Sequence, residues 1–245
     1  MTTSSTTGQP AASLDWDTLT LAEGSHDNGQ TDDCGNPLLC FMEAFNVSRG
    51  LGVTDDCPAD VSLTLHGFII ELNDELGTAD RQRLKRYRDQ IARTGGQPAA
   101  DKRAAYMCAD WLIRTYTPAF LRLAGLGQHA DALTTADEVV DLATLGRVTG
   151  RISAARAAAV SAADSAADSL RSAAAVSAAD SGAVSAAVTV AYSLRSAAVS
   201  GAASAAVSAA YSAAEQDFAP TVAALQASAF GLLDRMIAAY TVAAA

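Results

Sequence analysis

The sequence has few residues of the kinds that mark a reaction or a disulfide framework. Its 245 residues include 4 cysteines and 3 histidines, and no glycine-rich phosphate loop, HExxH helix or GxSxG elbow is present. A secretory signal, with a basic start and an apolar core, is also missing. The thiols are then typical of reduced cysteines in a cytoplasm. We therefore expect a cytoplasmic protein and find no motif that favours enzymatic activity.

Positive charge is scarce as well. Lys and Arg total 17 against 27 Asp and Glu, which gives a formal net charge of −10. The field of such a chain repels nucleic acid and anionic membranes. No window combines the length and hydropathy of a membrane span. The closest, residues 196–214, is uncharged but too rich in serine and alanine. The sequence therefore predicts no membrane partner and no general affinity for nucleic acid.

Runs of alternating apolar and polar residues are missing, so no sheet is predicted. Helix signals occur instead. Asn36 and Pro37 offer an N-cap and a first-turn proline, Thr78 offers another cap, and Gly50 and Gly95 offer helix ends. The predicted helices cover residues 37–49, 58–76, 79–93, 101–116 and 117–126. These features predict an all-α protein.

Bulk and charge are lowest in residues 161–212, where most positions are alanine or serine. A hydroxyl side chain returns about every fourth position, and SLRSAA occurs at 169–174 and again at 193–198. Alanine is the best helix former, and no proline occurs in this tract. The repeat therefore predicts one long helix, with a hairpin broken near Gly182 as the alternative.

These patterns predict a compact helical head followed by two further helices. A C-terminal helix could fold back on the repeat if a turn occurs at 215–220. The predicted segments are a disordered tail at 1–19, the head at 20–148, the Ala/Ser-rich repeat helix at 149–216 and the C-terminal helix at 217–245.

The repeat also carries a stripe of larger side chains. Its mean step of about 3.9 residues exceeds 3.6, which predicts a right-handed wrap around a partner. Small residues let helices approach closely. We expect the repeat to mediate self-association or scaffolding, and hence a homo-oligomer. The alternatives are a solvated spacer and a flat ice-binding helix. The mean step winds the hydroxyl positions around the helix axis, which disfavours a flat ice-binding helix. The predicted helix-packing residues are Val176, Val184, Val188, Tyr192, Val199, Val207 and Tyr211.

The motif Thr-Asp-Asp-Cys occurs at 31–34 and again at 54–57. Acids before a helix favour its positive end, which gives the motif a structural explanation. Cysteine and histidine are also zinc ligands, although the spacing here matches no standard zinc finger. A buried Glu43 would need a metal, His26 or Arg49 as its partner, and an ion pair is favoured. The candidate zinc site comprises His26, Cys34, Cys40, Glu43 and Cys57.

One basic cluster stands out in the segment DRQRLKRYRDQIAR. Leu84, Tyr87 and Ile91 share one side of the predicted helix, which leaves the cations on the solvated side. Such a face could bind phosphate. It could also dock the acidic N-terminal loop, which is favoured in so acidic a chain. The candidate phosphate-binding or partner-binding residues are Arg81, Arg83, Lys85, Arg86 and Arg88.

Several stretches carry a resemblance to a known group: EGSHD and CFMEA, DDCPAD, NDELGTADRQRLKRY and ADWLIRTYTPAFLRLAGL. Over about residues 20–145 the chain resembles uncharacterised actinobacterial and actinobacteriophage proteins with a GSH…C-MEA start, a helical domain and an alanine-rich repetitive tail. The resemblance implies a bacterial or phage intracellular setting and brings no activity. Its shared letters mark His26, Cys40, Glu43 and Cys57, and leave Cys34 as a local addition.

The alternative function is a metal-dependent enzyme or a nucleic-acid-associated factor. Its site would be the His/Cys/Glu set of the head, with the basic segment binding phosphate. A metal would be required for this function and not for a scaffold.

Overall fold

A computed structural model describes residues 14–24, 30–31, 37–167 and 215–242 of the chain. Within these ranges the secondary structure is helical, without strands, and the all-α prediction is confirmed there. Two isolated bridges join Leu21 to Leu39 and Thr31 to Pro37. The chain divides into two compact units, residues 1–97 and 98–245. The predicted end of the head, residue 148, falls inside the second unit.

The first unit contains short helices joined by tight turns: α1 (Phe41–Ser48), α2 (Leu63–Glu75), α3 (Thr78–Arg81), a 3-10 helix (Gln82–Tyr87) and α4 (Arg88–Ile91).

Helix α1 begins at Phe41, not at the predicted Pro37. The preceding residues are extended because they bond to distant parts of the chain. The Leu38 amide donates to Gln30 O at 2.9 Å, and the Ala22 amide donates to Leu39 O at 2.8 Å. Helix α2 likewise starts later than predicted, because the Ser62 hydroxyl caps it by accepting from the Leu65 amide.

The predicted helix over 79–93 is divided into α3, the 3-10 helix and α4. After α4 the chain turns at Arg93, which has a φ of +69°. Gly95 has a separate role: its amide donates to Asp60 O at 2.9 Å, and a Cβ there would lie 2.4 Å from Ala59 O. A side chain at this position would force the two backbones apart.

The core of the first unit includes the predicted apolar side of the basic segment, since Leu84, Tyr87 and Ile91 are fully buried. Trp16 also belongs to this core, with 8% of the residue exposed. The sequence predicts a disordered tail over 1–19, whereas residues 14–19 are ordered and Trp16 packs edge-on against Phe41 with ring centroids 5.9 Å apart.

The second unit has longer helices: α5 (Pro98–Trp111), a π-helical turn (Leu112–Tyr116), α6 (Thr117–Leu123), α7 (Gly127–Thr134), α8 (Leu142–Ala167) and α9 (Glu215–Val242). Asp141 caps α8, because its carboxylate accepts from the Thr144 amide at 2.7 Å. That hydrogen bond lowers the pKa of Asp141. The first part of the Ala/Ser-rich repeat, residues 149–167, is thus the continuation of a helix that starts earlier.

Helix α9 runs through the segment in which a fold-back would need a turn, and Pro220 lies inside it. The turn that a fold-back would require at 215–220 is therefore not formed, because these residues are helical. Helix α9 runs antiparallel to α5: the Tyr240 hydroxyl donates to Asp101 at 2.8 Å, and Trp111 Nε1 donates to Ser228 at 2.8 Å.

The expectation that no window resembles a membrane span is also wrong on composition. Residues Ala219–Thr241 of α9 have a mean hydropathy of 1.3 over a sufficient length. Much of this helix is nevertheless buried, with Leu225, Leu233 and Met236 on its inner side. Such burial is typical of the core helix of a water-soluble unit, which passes the same test of composition.

Candidate functional site

Residues 14–24, here called the arm, lie against the basic segment of the first unit; the Leu19 amide donates to Asp15 O at 2.9 Å and closes a turn, and the residues after it are not helical. Gln82 fixes their centre: its side-chain amide donates to Leu21 O at 3.0 Å and accepts from the Leu21 amide at 2.8 Å. Lys85 donates to Leu19 O. The arm therefore bonds through its main chain to side chains of the segment that the sequence marks as basic.

Asn73, at the end of α2, joins the arm to α1. Its Oδ1 accepts from the Phe41 amide at 3.2 Å, and its Nδ2 donates to Ala22 O at 3.0 Å. The neighbouring Asp74 accepts from the Gly24 amide at 2.8 Å. Because Asn73 and Phe41 are buried, the bond between them satisfies a main-chain amide inside the core.

The five candidate basic residues have different surroundings. Arg81 is only 6% exposed and donates to Asn73 O and Leu76 O, so it does not lie on the solvated side that the helical pattern predicts. Its guanidinium also lies 4.0 Å from the Glu23 carboxylate of the arm. Burial of this charge is possible because two carbonyl oxygens accept hydrogen bonds from the guanidinium.

The other candidate cations are nearer the surface. Arg83 pairs with Asp80 at 2.8 Å, and Arg86 stacks on the ring of Tyr87. Arg88 pairs with Asp89 and lies 5.5 Å from the centre of the Trp16 ring. With Lys85, three of the five candidates contact the arm: Arg81, Lys85 and Arg88.

Cys40 and Glu43, two of the candidate zinc ligands, form the N-terminal cap of α1. The Glu43 carboxylate accepts from the Cys40 amide at 2.8 Å, and Cys40 Sγ accepts from the Glu43 amide at 3.5 Å. This reciprocal pair is a capping box with cysteine in the place of serine. Arg49, one of the two predicted ion-pair partners of Glu43, instead forms a two-bond pair with Asp60 that lowers the pKa of Asp60.

The chemistry of Cys40 follows from this position. Burial, together with the nearby Glu43 carboxylate, raises the pKa of the Cys40 thiol to about 12. The thiol is then protonated at neutral pH, and a thiolate is the form that attacks substrates or binds metal. A zinc ion at Cys40 would therefore have to displace both a proton and a helix cap.

The remaining candidate ligands are not brought together among the described residues. Cys57 Sγ is 3.6 Å from Val61 O in the turn before α2. His26 and Cys34 lie outside the described residues. Within the ranges that the structure covers, no three His, Cys, Asp or Glu side chains are grouped to hold a metal ion. The zinc site stays a prediction.

A second candidate surface lies on α8, in the other unit. One side of this helix packs into the unit's core through Ala155 and Ala159, each 3% exposed. The opposite side is exposed and contains tetrad-spaced small residues. The exposed residues are Ser153, Arg156, Ala157, Val160 and Ser161.

The predicted helix-packing residues of the repeat, from Val176 to Tyr211, lie outside the described residues. The sequence reading missed the functional side chains of the arm contact, above all Gln82 and Asn73. Their role depends on main-chain groups 61 and 51 residues away along the chain, respectively. No local pattern marks such a residue.

Comparison of the chain with family models, curated proteins and solved structures finds no match in any of the three.

Proposed function

We propose that the chain is a non-enzymatic, cytoplasmic interaction protein that self-associates through its Ala/Ser-rich helix. The observation that supports this proposal is α8, which carries the start of the repeat. It continues without interruption from Leu142 to Ala167, through Gly146 and Gly150. A partly buried first half anchors such a helix, because alanine-rich helices gain most of their stability in proteins from packing.

Close packing by small side chains supports the proposal further. Ala155 and Ala159 of α8 share a core with Ala130 and Leu133 of α7. Side chains of this size allow two helix backbones to approach more closely than leucine would. The repeat extends the same composition through residue 212, so the same kind of contact is available between copies.

The outer side of α8 is the surface that we assign to a second copy. Ser153, Ala157 and Ser161 follow one another at the tetrad spacing, and Val160 beside them is 38% exposed. The predicted helix-packing residues from Val176 to Tyr211 belong to the same repeat and lie outside the described residues. Little apolar area is available per turn, so affinity depends on shape complementarity along many turns.

Hydrogen exchange of the full chain at low and high protein concentration tests this proposal. We expect the main-chain amides of residues 153–161 to exchange at least about tenfold more slowly at high concentration, because association protects them. The amides of α2, in the other unit, serve as the internal control and should not change. Exchange of residues 153–161 that is independent of concentration would contradict the proposal.

A further inference from the structure

The arm is held like a bound peptide. Side chains bond its main-chain groups: Lys85 bonds Leu19 O, Gln82 bonds both Leu21 N and Leu21 O, Asn73 bonds Ala22 O, and Asp74 bonds Gly24 N. Main-chain bonds of this kind give affinity for an extended peptide, and side-chain pockets add specificity. The acceptor surface consists of Leu39, Asn73, Asp74, Gln82, Lys85 and Arg88.

Two apolar side chains supply that specificity. Trp16 lies between the ring of Phe41 and the guanidinium of Arg88, at 5.9 Å and 5.5 Å between centres. Leu21, five residues further along, is 1% exposed. A peptide site whose other contacts are to the main chain recognises its ligand by such side chains, here one large aromatic and one aliphatic residue at a fixed spacing.

Charge on the two partners is complementary. The arm has the sequence LDWDTLTLAEG, with three acidic residues and no basic one. The surface that it contacts presents Arg81, Lys85 and Arg88, and Arg81 lies 4.0 Å from Glu23. Opposite charges favour this occupant over a neutral extended segment and raise its rate of association.

None of these contacts requires that the arm and the acceptor surface belong to the same molecule. We propose that the acceptor surface is an exchangeable peptide site and that its second occupant is the arm of another copy of this chain. A covalently attached arm has an effective concentration on the order of millimolar. The chain's own arm therefore prevails in dilute solution, and exchange between copies, as in domain swapping, increases when copies are concentrated. The inference does not depend on the Ala/Ser-rich helix.

A labelled synthetic peptide of residues 14–24 tests the proposal on the full chain. In the Leu21→Asp variant the arm loses its buried anchor and leaves the surface free, so we expect the peptide to bind with a rise in fluorescence anisotropy. Wild-type chain should bind it at least tenfold more weakly, because its own arm competes. Adding Gln82→Ala to Leu21→Asp removes both bonds to Leu21 and should weaken binding at least tenfold. A peptide that itself carries Leu21→Asp is the matched negative control.

A second measurement covers the case in which Leu21→Asp does not fold. A protease site placed within residues 25–29 of the wild-type chain lets the arm be cut after folding. We expect the cut arm to co-elute with the body and to be displaced by labelled peptide. Failure of the peptide to bind either folded Leu21→Asp chain or cut chain would overturn the proposal. Loss of the body's circular dichroism on cutting would overturn it too, since the arm would then be an inseparable part of the core.

Capture between copies completes the test. Tagged Leu21→Asp chain should capture an untagged Gln82→Ala chain, whose arm is intact but is held weakly by its own surface, and excess free arm peptide should release it. The free arm peptide should not reduce association through α8. The experiment therefore distinguishes arm exchange from association through α8. Capture that the peptide does not reduce would assign the contact to another surface and contradict arm exchange.

Discussion

At the scale of single residues, Cys40 shows how a side chain suited to chemistry is used for structure. Its sulfur accepts from the Glu43 amide, and its own amide donates to the Glu43 carboxylate. Serine is the usual residue in this position of a capping box. Substitution of Cys40 by serine therefore distinguishes the two roles. Serine keeps the helix cap but removes the thiolate ligand of the candidate zinc site.

We expect Cys40→Ser to leave the free energy of unfolding within about 1 kcal/mol of wild type, and Cys40→Ala to lower it by about 1 kcal/mol or more because the cap is lost. Urea unfolding followed by circular dichroism measures both. If serine destabilised the chain as much as alanine and also released bound zinc, Cys40 would be a metal ligand and its capping role would be secondary.

Substitution of Asn73 should strongly lower the free energy of unfolding of the first unit. Asn73→Ala leaves the Phe41 amide and Ala22 O without their partner, and each unsatisfied buried group costs about 1–3 kcal/mol. We expect a total loss of about 2–4 kcal/mol in urea unfolding. Gln90→Ala is the control, because it removes an exposed bond to Arg86 O and should cost less than about 0.5 kcal/mol. Equal effects of the two substitutions would contradict the account.

At the scale of secondary-structure elements, α9 is apolar enough to cross a membrane but is explained by its packing on α5. Met236 is fully buried and lies 3.4 Å, sulfur to sulfur, from Cys108. Burial raises the pKa of the Cys108 thiol to about 12 even though part of the residue is accessible. Both side chains belong to the contact between α5 and α9.

Met236→Ala should therefore lower the free energy of unfolding of the second unit by about 2–5 kcal/mol, the usual cost of removing a buried methionine side chain. Fluorescence of Trp111, which contacts α9 through Ser228, reports this unit in a Trp16→Phe background. Ala238→Ser, on the exposed side of α9, should change it by less than about 0.5 kcal/mol. A Met236→Ala variant as stable as the control would mean that α9 does not pack on α5 in solution.

Local pattern predicted some elements and failed for others for identifiable reasons. The apolar spacing of Leu84, Tyr87 and Ile91 gave the correct core side because helical periodicity depends on near neighbours alone. The predicted start of α1 is wrong because Leu39 pairs with Ala22. The sequence predicts disorder over 1–19, which includes the first part of the arm, because the partners of residues 14–19 are distant along the chain. Arg81 was expected in solvent because no pattern reveals the carbonyls that it meets.

At the scale of the whole molecule, the sequence predicts a head and a repeat helix, and the described residues form two units, with α8 starting inside the second. The helix that carries the start of the repeat thus begins at Leu142, within a folded unit, and not at a linker. The boundary is not predictable from the sequence, because residues 142–149 include weak helix formers such as Gly146 and Val148 and the change of composition comes only later. The candidate metal site was only partly placed, since two of its members lie outside the described residues.

We propose above all that small side chains on the outer side of α8 hold copies of the chain together. Molar mass by sedimentation equilibrium of the full chain and of Ala157→Leu tests it most directly, with Ala227→Leu on the exposed side of α9 as the matched control. We expect wild type and Ala227→Leu to exceed the monomer mass of 25.0 kDa increasingly with concentration. Ala157→Leu, whose larger side chain separates the helices, should have a lower mass than wild type and Ala227→Leu at each concentration. A mass of 25.0 kDa for wild type at every concentration, or equal masses for the two variants, would contradict the claim.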